Sequence, residues 1–271
     1  MIRLGRKIEL NLSAILIAGS MTANLFAAEP NPSLLSVCDD ISEYPPYTYF
    51  DRVNGKPTEK VVGFTVDLLK TIFKNDTLVF ELVPWNRCMQ LAKSGDHYQI
   101  VLGAEKTPER EIDFYFTEPF LFLQSDYYYS RNKFPNGMNI KTLADLQRYQ
   151  VCGLFGYNYQ RYGLSGSKIL TTYKFQQLIP LIMHDNCDLF IEQRQVVEGH
   201  RKIDEQLRKL IDDPNLTHQR IPGIADIPYY LIVPRLAPNT QEIIDRLNGG
   251  LHEATKNGAK SDLMKKYNIA N

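Results

Sequence analysis

The residues best equipped for chemistry lie between Val83 and Phe120. Trp85 sets an aromatic face two positions from the cation Arg87. Beyond them, Gly103, Glu105, Thr107 and Arg110 follow an apolar run from Tyr98 to Leu102. That run is short and continuously apolar, the pattern of a buried strand in a parallel sheet. Ligands of open α/β sheets bind beyond the carboxyl ends of such strands. The stretch therefore reads as half of a pocket for a small, charged organic molecule. Tyr44 and Tyr47 flank Pro45-Pro46, a pair that forbids helix and stiffens the loop. Tyr44 is placed either to touch ligand or only to pack. Gly156-Tyr157-Asn158-Tyr159 follows another strand and is expected to open a helix, whose first backbone N–H groups are ready anion donors. Glu192-Gln193 ends a third apolar run.

The elements that must carry these residues alternate. Strands are expected at 34–38, 78–83 and 98–102, with an amphipathic helix at 63–75 and a short helix ending at Gly95 between them. This order implies parallel pairing with right-handed crossovers. Pro108 suits the first position of a helical turn, with Glu109 at the positive end of its dipole. An extended segment, 121–130, reads as a crossing to a second lobe. There the pattern resumes: a helix at 142–149 capped by Thr142, strands at 150–154 and 168–173, a helix at 175–184, a strand at 187–191 and a charged helix at 194–210. Residues 224–233 read as the return crossing. The last segment, 241–267, is helical and expected to break at Gly249-Gly250 and at Gly258.

Composition narrows the class. Residues 1–28 have a basic start (Arg3, Arg6, Lys7) and an apolar stretch too short to span a bilayer with ease, so they read as a cleaved export signal. Without them the chain has 28 basic and 30 acidic residues, a net charge of −2. That leaves no electrostatic footprint for nucleic acid or an anionic membrane. The mature chain is expected to be a soluble, exported monomer. Its four cysteines, Cys38, Cys88, Cys152 and Cys187, would meet an oxidising compartment, where two disulfides are the default. Three pairings are open. Cys38–Cys88 with Cys152–Cys187 is favoured, because each pair then stays in one lobe. Each closed loop contributes about 4 kcal/mol in the chain-entropy model. A metal site is the weaker reading, since no C-x-x-C occurs and the five histidines are scattered. No cofactor motif is present.

Several pieces in order carry a family pattern: Y-P-P-Y after the first strand, G-F-T-V-D-L-L on the first helix, T-P-E-R after Gly103, then F-T-E-P-F, G-Y-N-Y, C-D-L-F-I-E and a closing K-K-Y. Together they resemble the periplasmic solute-binding proteins of family three, the amino-acid type, in a branch with P-W-N-R-C. The resemblance implies an α/β fold of two lobes, each a mostly parallel sheet flanked by helices, joined by two hinge crossings. It places residues 29–124 and 232–271 in one lobe and 125–231 in the other. It implies a small carboxylate-bearing ligand, an amino acid or related compound, held between the lobes in the periplasm for the membrane permease of an ABC transporter. In such proteins the Arg of T-x-E-R grips the ligand carboxylate, which falls on Arg110. The planar fork of a guanidinium matches a carboxylate bidentately. The contacting glycine falls on Gly103, the covering aromatics on Trp85 and Tyr44. The second lobe is expected to supply Tyr157, Asn158 and Glu192.

Two positions depart from that pattern. Glu105 stands where Ser or Thr is usual; it is expected to neutralise Arg110, to accept a cationic group of the ligand, or to face solvent. The acid that binds the α-ammonium falls on Gln193, with Glu192 just before it. Other readings of the same fold are a cyclohexadienyl dehydratase, with Glu105 or Glu192 as a protonated general acid, and a sensor domain. No nucleophile–base pair, H-E-x-x-H or G-x-S-x-G supports other enzyme chemistry.

Overall fold

The computed structural model of the chain describes Met1 and residues 33–165 and 169–269. Apart from Met1, the expected leader at 1–28 lies outside them. The first sheet contains β1 (Leu34–Asp40), β4 (Thr77–Val83) and β5 (Ile100–Ala104), with β6 (Phe114–Phe116), β7 (Leu121–Leu123) and β13 (Ile227–Pro234). A two-stranded hairpin, β2 (Tyr49–Val53) and β3 (Lys56–Val62), stands beside it. Its helices are α1 (Phe64–Ile72), α2 (Trp85–Lys93) and α3 (Pro108–Asp113), with α7 (Thr240–Lys256) and α8 (Ala259–Lys266) from the chain end. The second sheet contains β8 (Ser125–Ser130), β9 (Val151–Leu154), β10 (Ile169–Thr172), β11 (Leu189–Gln193) and β12 (Leu216–Arg220). Its helices are α4 (Leu178–Met183), α5 (Arg194–Ile203) and α6 (Glu205–Ile211).

Strand order in the first sheet is β4-β1-β5-β13-β6, with β1 parallel to both β4 and β5. The second sheet runs β10-β9-β11-β8-β12, with β9 parallel to β10 and β11. Each sheet is thus a parallel trio closed by an antiparallel strand, β13 in one and β8 in the other. Both connections between the sheets pass one place, where Leu123 pairs with Ile227. This is an α/β fold of two lobes with two crossings side by side, and β13 pairs in the first sheet from Ile227 onward. From Ser33 onward the described residues of both lobes cluster as one compact unit.

Apolar periodicity explains the packing. Helix α1 buries Phe64, Val66, Leu68 and Leu69, each contributing roughly 2 kcal/mol relative to exposure. Cys38 on β1 bonds to Cys88 on α2, and Cys152 on β9 bonds to Cys187 just before β11. Each bond therefore lies inside one lobe.

Four local expectations need correction. Residues 156–159 open no α-helix; one 3-10 turn, Gln160–Tyr162, follows and stops at Gly163, which takes the left-handed conformation (φ 70°). The charged helix at 194–210 divides at Asp204, whose side chain accepts from Gln206 N and Leu207 N and caps a new helix. The segment at 142–149 is a 3-10 helix, Leu143–Arg148, with Asp145 accepting from Thr142 N at 2.8 Å. Helix α7 runs unbroken through Gly249-Gly250, because Gly250 serves close packing: a Cβ there would lie 2.5 Å from Ile72 of α1. Gly250→Leu is expected to destabilise the fold by about 1–3 kcal/mol through overpacking. Gly249→Ala, with open space around it, is expected to stabilise by about 0.5–1 kcal/mol. Urea unfolding of the two variants checks both signs.

Candidate ligand-binding cleft

The cleft begins at the carboxyl ends of β1 and β5. Gly103 lies in β5 with φ 61°, and nothing stands within 4 Å of where its Cβ would be. The backbone there is left bare toward the cleft. Thr107 caps α3 by accepting from Arg110 N at 3.3 Å, and Pro108 takes the first helical position. This turn aims Arg110 back at β5. Its Nη1 donates to the carbonyl of Glu105 at 2.8 Å, and its guanidinium lies 5.3 Å from the centroid of the Trp85 ring. Trp85 is fixed at the start of α2, directly after Pro84.

Opposite stands the second lobe. Tyr157 OH is 3.5 Å from Ser42 Oγ, and Asn158 Nδ2 donates to Glu105 Oε2 at 3.0 Å. Tyr44 OH lies 2.8 Å from Gln193 Oε1 and 2.9 Å from Tyr229 OH. Tyr229 OH donates in turn to Glu105 Oε1 at 3.2 Å. Away from these groups, α5 presses Gly199 onto the loop at Pro45, where a Cβ would fall 2.1 Å from the carbonyl oxygen.

Seven of the expected residues, Tyr44, Trp85, Gly103, Glu105, Arg110, Tyr157 and Asn158, line one cavity with Asp39, Asp40 and Tyr229. It measures about 40 Å³, room for a few waters. Arg110, Tyr157 and Asn158 also border a wider outer groove of about 350 Å³. The eighth residue, Glu192, is buried at the end of β11 and is not among the lining groups. Arg87 is exposed. Tyr47 packs edge-on against Phe64, so its role is structural.

Glu105 does not face solvent, being 7 % exposed. Its carboxylate makes its direct ion pair with Arg161, whose Nε is 3.2 Å from Oε2, while its charge acts on Arg110 without such a contact.

The electrostatics are unusual for so small a space. Burial, with the charge of Asp40 adding, pushes the Asp39 carboxyl up to about 8. Burial also raises Asp40. Glu192, 2 % exposed, is pushed up to about 8 by burial, with Glu105 and Asp40 adding repulsion. At neutral pH, Asp39 and Glu192 therefore hold protons. Asp39, Asp40, Tyr229 and Arg161 are absent from the sequence-based site. The adjacent acids at the carboxyl end of β1 were the one available signal. Among the described residues no group of three or more His, Cys, Asp or Glu could hold a metal ion, and no helix is long and apolar enough to cross a membrane.

The arrangement, two α/β lobes facing a charged cavity beside paired crossings, is matched by a family model. The model for bacterial extracellular solute-binding proteins, family 3, aligns with residues 36–270. The chain belongs to this family. Comparison with curated protein sequences finds no match. Among solved structures, this family 3 protein is similar to a histidine kinase sensor domain with similarity to periplasmic binding proteins. The TM-score is 0.70 at 22% identity, over 88% of this chain and 97% of that one. It is also similar to an amino acid ABC transporter substrate-binding protein from Streptococcus pneumoniae bound to L-arginine. That match has a TM-score of 0.67 at 17% identity, over 88% and 97% of the two chains. A third is an ancestral amino acid-binding protein, a precursor of cyclohexadienyl dehydratase, with a TM-score of 0.66 at 19% identity over 86% and 95%. At these identities the solved structures speak for the fold.

Proposed function

We propose that this family 3 protein captures a small solute carrying both a carboxylate and a cationic group, an amino acid or a close relative, between its lobes. It then presents that solute to the membrane permease of an ABC importer. The protein acts as a monomer in the periplasm after its leader at 1–28 is cleaved. The observation that carries the reading is the convergence of a cation and acids on one inter-lobe cavity: Arg110 over Trp85, with Asp40 and Glu105 as acceptors and Asp39 as a protonated carboxyl beside them. Arg110 keeps guanidinium donors beyond the one given to Glu105 O, enough for a ligand carboxylate. The acids suit an ammonium or guanidinium. Two of the three structures named above are an amino acid-binding protein and a substrate-binding protein bound to L-arginine, which supports the class.

A melting-temperature screen against amino acids, organic acids and polyamines tests this, since a ligand that binds only the folded form raises the midpoint. Arg110→Ala is expected to cost a carboxylate ligand about 2–5 kcal/mol and abolish its shift. An unchanged shift in that variant refutes the placement of the carboxylate.

One observation favours a second reading, a dehydratase. Burial raises the Glu192 carboxyl toward the protonated state a general acid needs, and a dehydratase would require it to reach the cavity that it does not line in this structure. Turnover of a prephenate-like cyclic acid, lost in Glu192→Gln, would establish it; absence of turnover leaves capture.

A further inference from the structure

The ion pair between Glu105 and Arg161 joins the two lobes, and the capture scheme above gives Arg161 no part. Glu105 follows β5 of the first sheet, and Arg161 lies in the 3-10 turn after β9 of the second. We propose that Arg161 and Asn158 form an oxyanion subsite on the second lobe, and that Glu105 occupies it as an internal carboxylate, closing the cleft before any solute arrives.

Three observations support this. Both oxygens of Glu105 are engaged, Oε1 by Tyr229 and Oε2 by Asn158 and Arg161, and two of those partners belong to the opposite lobe. Glu105 is buried and the Arg161 side chain is 24 % exposed, so solvent screens the contact only in part. The fit is also imperfect: Arg161 Nε is buried, yet its N–H is aligned on no acceptor, although Glu105 Oε2 lies 3.2 Å away. A guanidinium offers a flat fork to an oxyanion approaching in its plane. Glu105, tethered to β5, meets that fork off-axis, and a free carboxylate would not be so constrained.

The subsite also limits the solute, a point that rests on the capture reading. An acid that takes Arg161 and Asn158 displaces Glu105, which then keeps Tyr229 but stays buried without a cation unless the same molecule offers one. A solute that offers Glu105 a cation and Arg161 an oxyanion, beside the carboxylate held by Arg110, leaves none of these charges unpaired. A simple acid or a simple amine strands one side.

The test needs no solute. Small-angle scattering of the ligand-free mature protein should show a compact particle. Glu105→Ala and Arg161→Gln should each enlarge it to the same open value, and the double variant should open it no further, as expected for partners in one interaction. Sodium acetate should restore the compact form of Glu105→Ala and leave Arg161→Gln open. A cooperative melt with both disulfides intact certifies each variant as folded; Glu105→Gln serves if the alanine variant fails. Variants as compact as the parent, or a parent already open, would overturn closure by Glu105. Opening without rescue by acetate would overturn the subsite. Because neither readout measures capture of the transported solute, either failure leaves the capture reading untouched.

Discussion

Gly199→Val is expected to prop the cleft open and weaken solute binding roughly 5- to 150-fold without unfolding either lobe. Gly199 lies in α5 of the second lobe, against the Pro45-Pro46 loop of the first. A Cβ at this position would fall 2.1 Å from Pro45 O, 2.4 Å from Pro45 C and 2.8 Å from Pro46 N. All three are backbone atoms, so no rotamer change relieves the clash. Overpacking of this kind costs about 1–3 kcal/mol, here charged to the closed form alone, which gives the stated range in affinity. The helix does not suffer, since Gly is the poorer helix former by about 1 kcal/mol relative to alanine. Val196 and Val197 still anchor α5 in the second lobe. Calorimetric titration with the best solute from the melting screen measures the loss, and unfolding in urea checks the fold. Unchanged affinity would show that the lobes need not meet at this loop.

The second large effect is on pH. Between pH 6.5 and 8 the ligand-free protein is expected to lose stability as pH rises. Asp39 and Glu192 go from ordinary values of 3.8 and 4.5 to about 8 in the fold. The folded chain therefore binds protons that the unfolded chain has released. The stability these two groups allow is full below about pH 4 and is lost as pH rises to 8, with a limiting slope of about 1.4 kcal/mol per pH unit for each group. His200 works the other way. Its ring is buried, stacked on Phe175 at 4.1 Å, and faces Arg52 and the backbone of Glu43. Burial, with the charge of Arg52 adding, lowers it to about 3. Its contribution is full above pH 6.5 and is lost as pH falls from 6.5 toward 3. Above pH 6.5 His200 no longer offsets the buried acids, and Asp40, also raised, acts in their direction, so the melting temperature should drop. Glu192→Gln should raise the melting point at pH 8.5, change it little at pH 5 and flatten the slope between. A melting temperature that stays level or climbs from pH 6.5 to 8.5 would contradict the protonated state of both acids. A cationic solute should release protons on binding, detectable by calorimetry in buffers of different ionisation enthalpy.

Much of this molecule can be read from its residues, and the exceptions have physical causes. The trio β4-β1-β5 follows from three apolar runs separated by α1 and α2, because local periodicity and crossover handedness leave few alternatives. Thr107, Pro108 and Arg110 are legible as a capped turn, since their interactions are local. Tyr229 is not. It enters the cavity from β13, whose insertion between β5 and β6 depends on contacts more than 100 residues apart in sequence. Arg161 sits in a turn with no periodic signal, so nothing local marks it as the partner of Glu105. Gly249-Gly250 looks like a break by propensity alone, but the approach of α1 decides it.

Strand β13 also bears on the order in which the chain can assemble. It pairs with β5 on one side and β6 on the other, and α7 and α8 follow it. Before Ile227 is available during synthesis, β5 has one bare edge and the first lobe remains unfinished, whereas every strand of the second is already present. Maturation should thus proceed from the middle of the polypeptide outward, and a chain cut short of residue 227 should yield one settled half beside an aggregation-prone remnant.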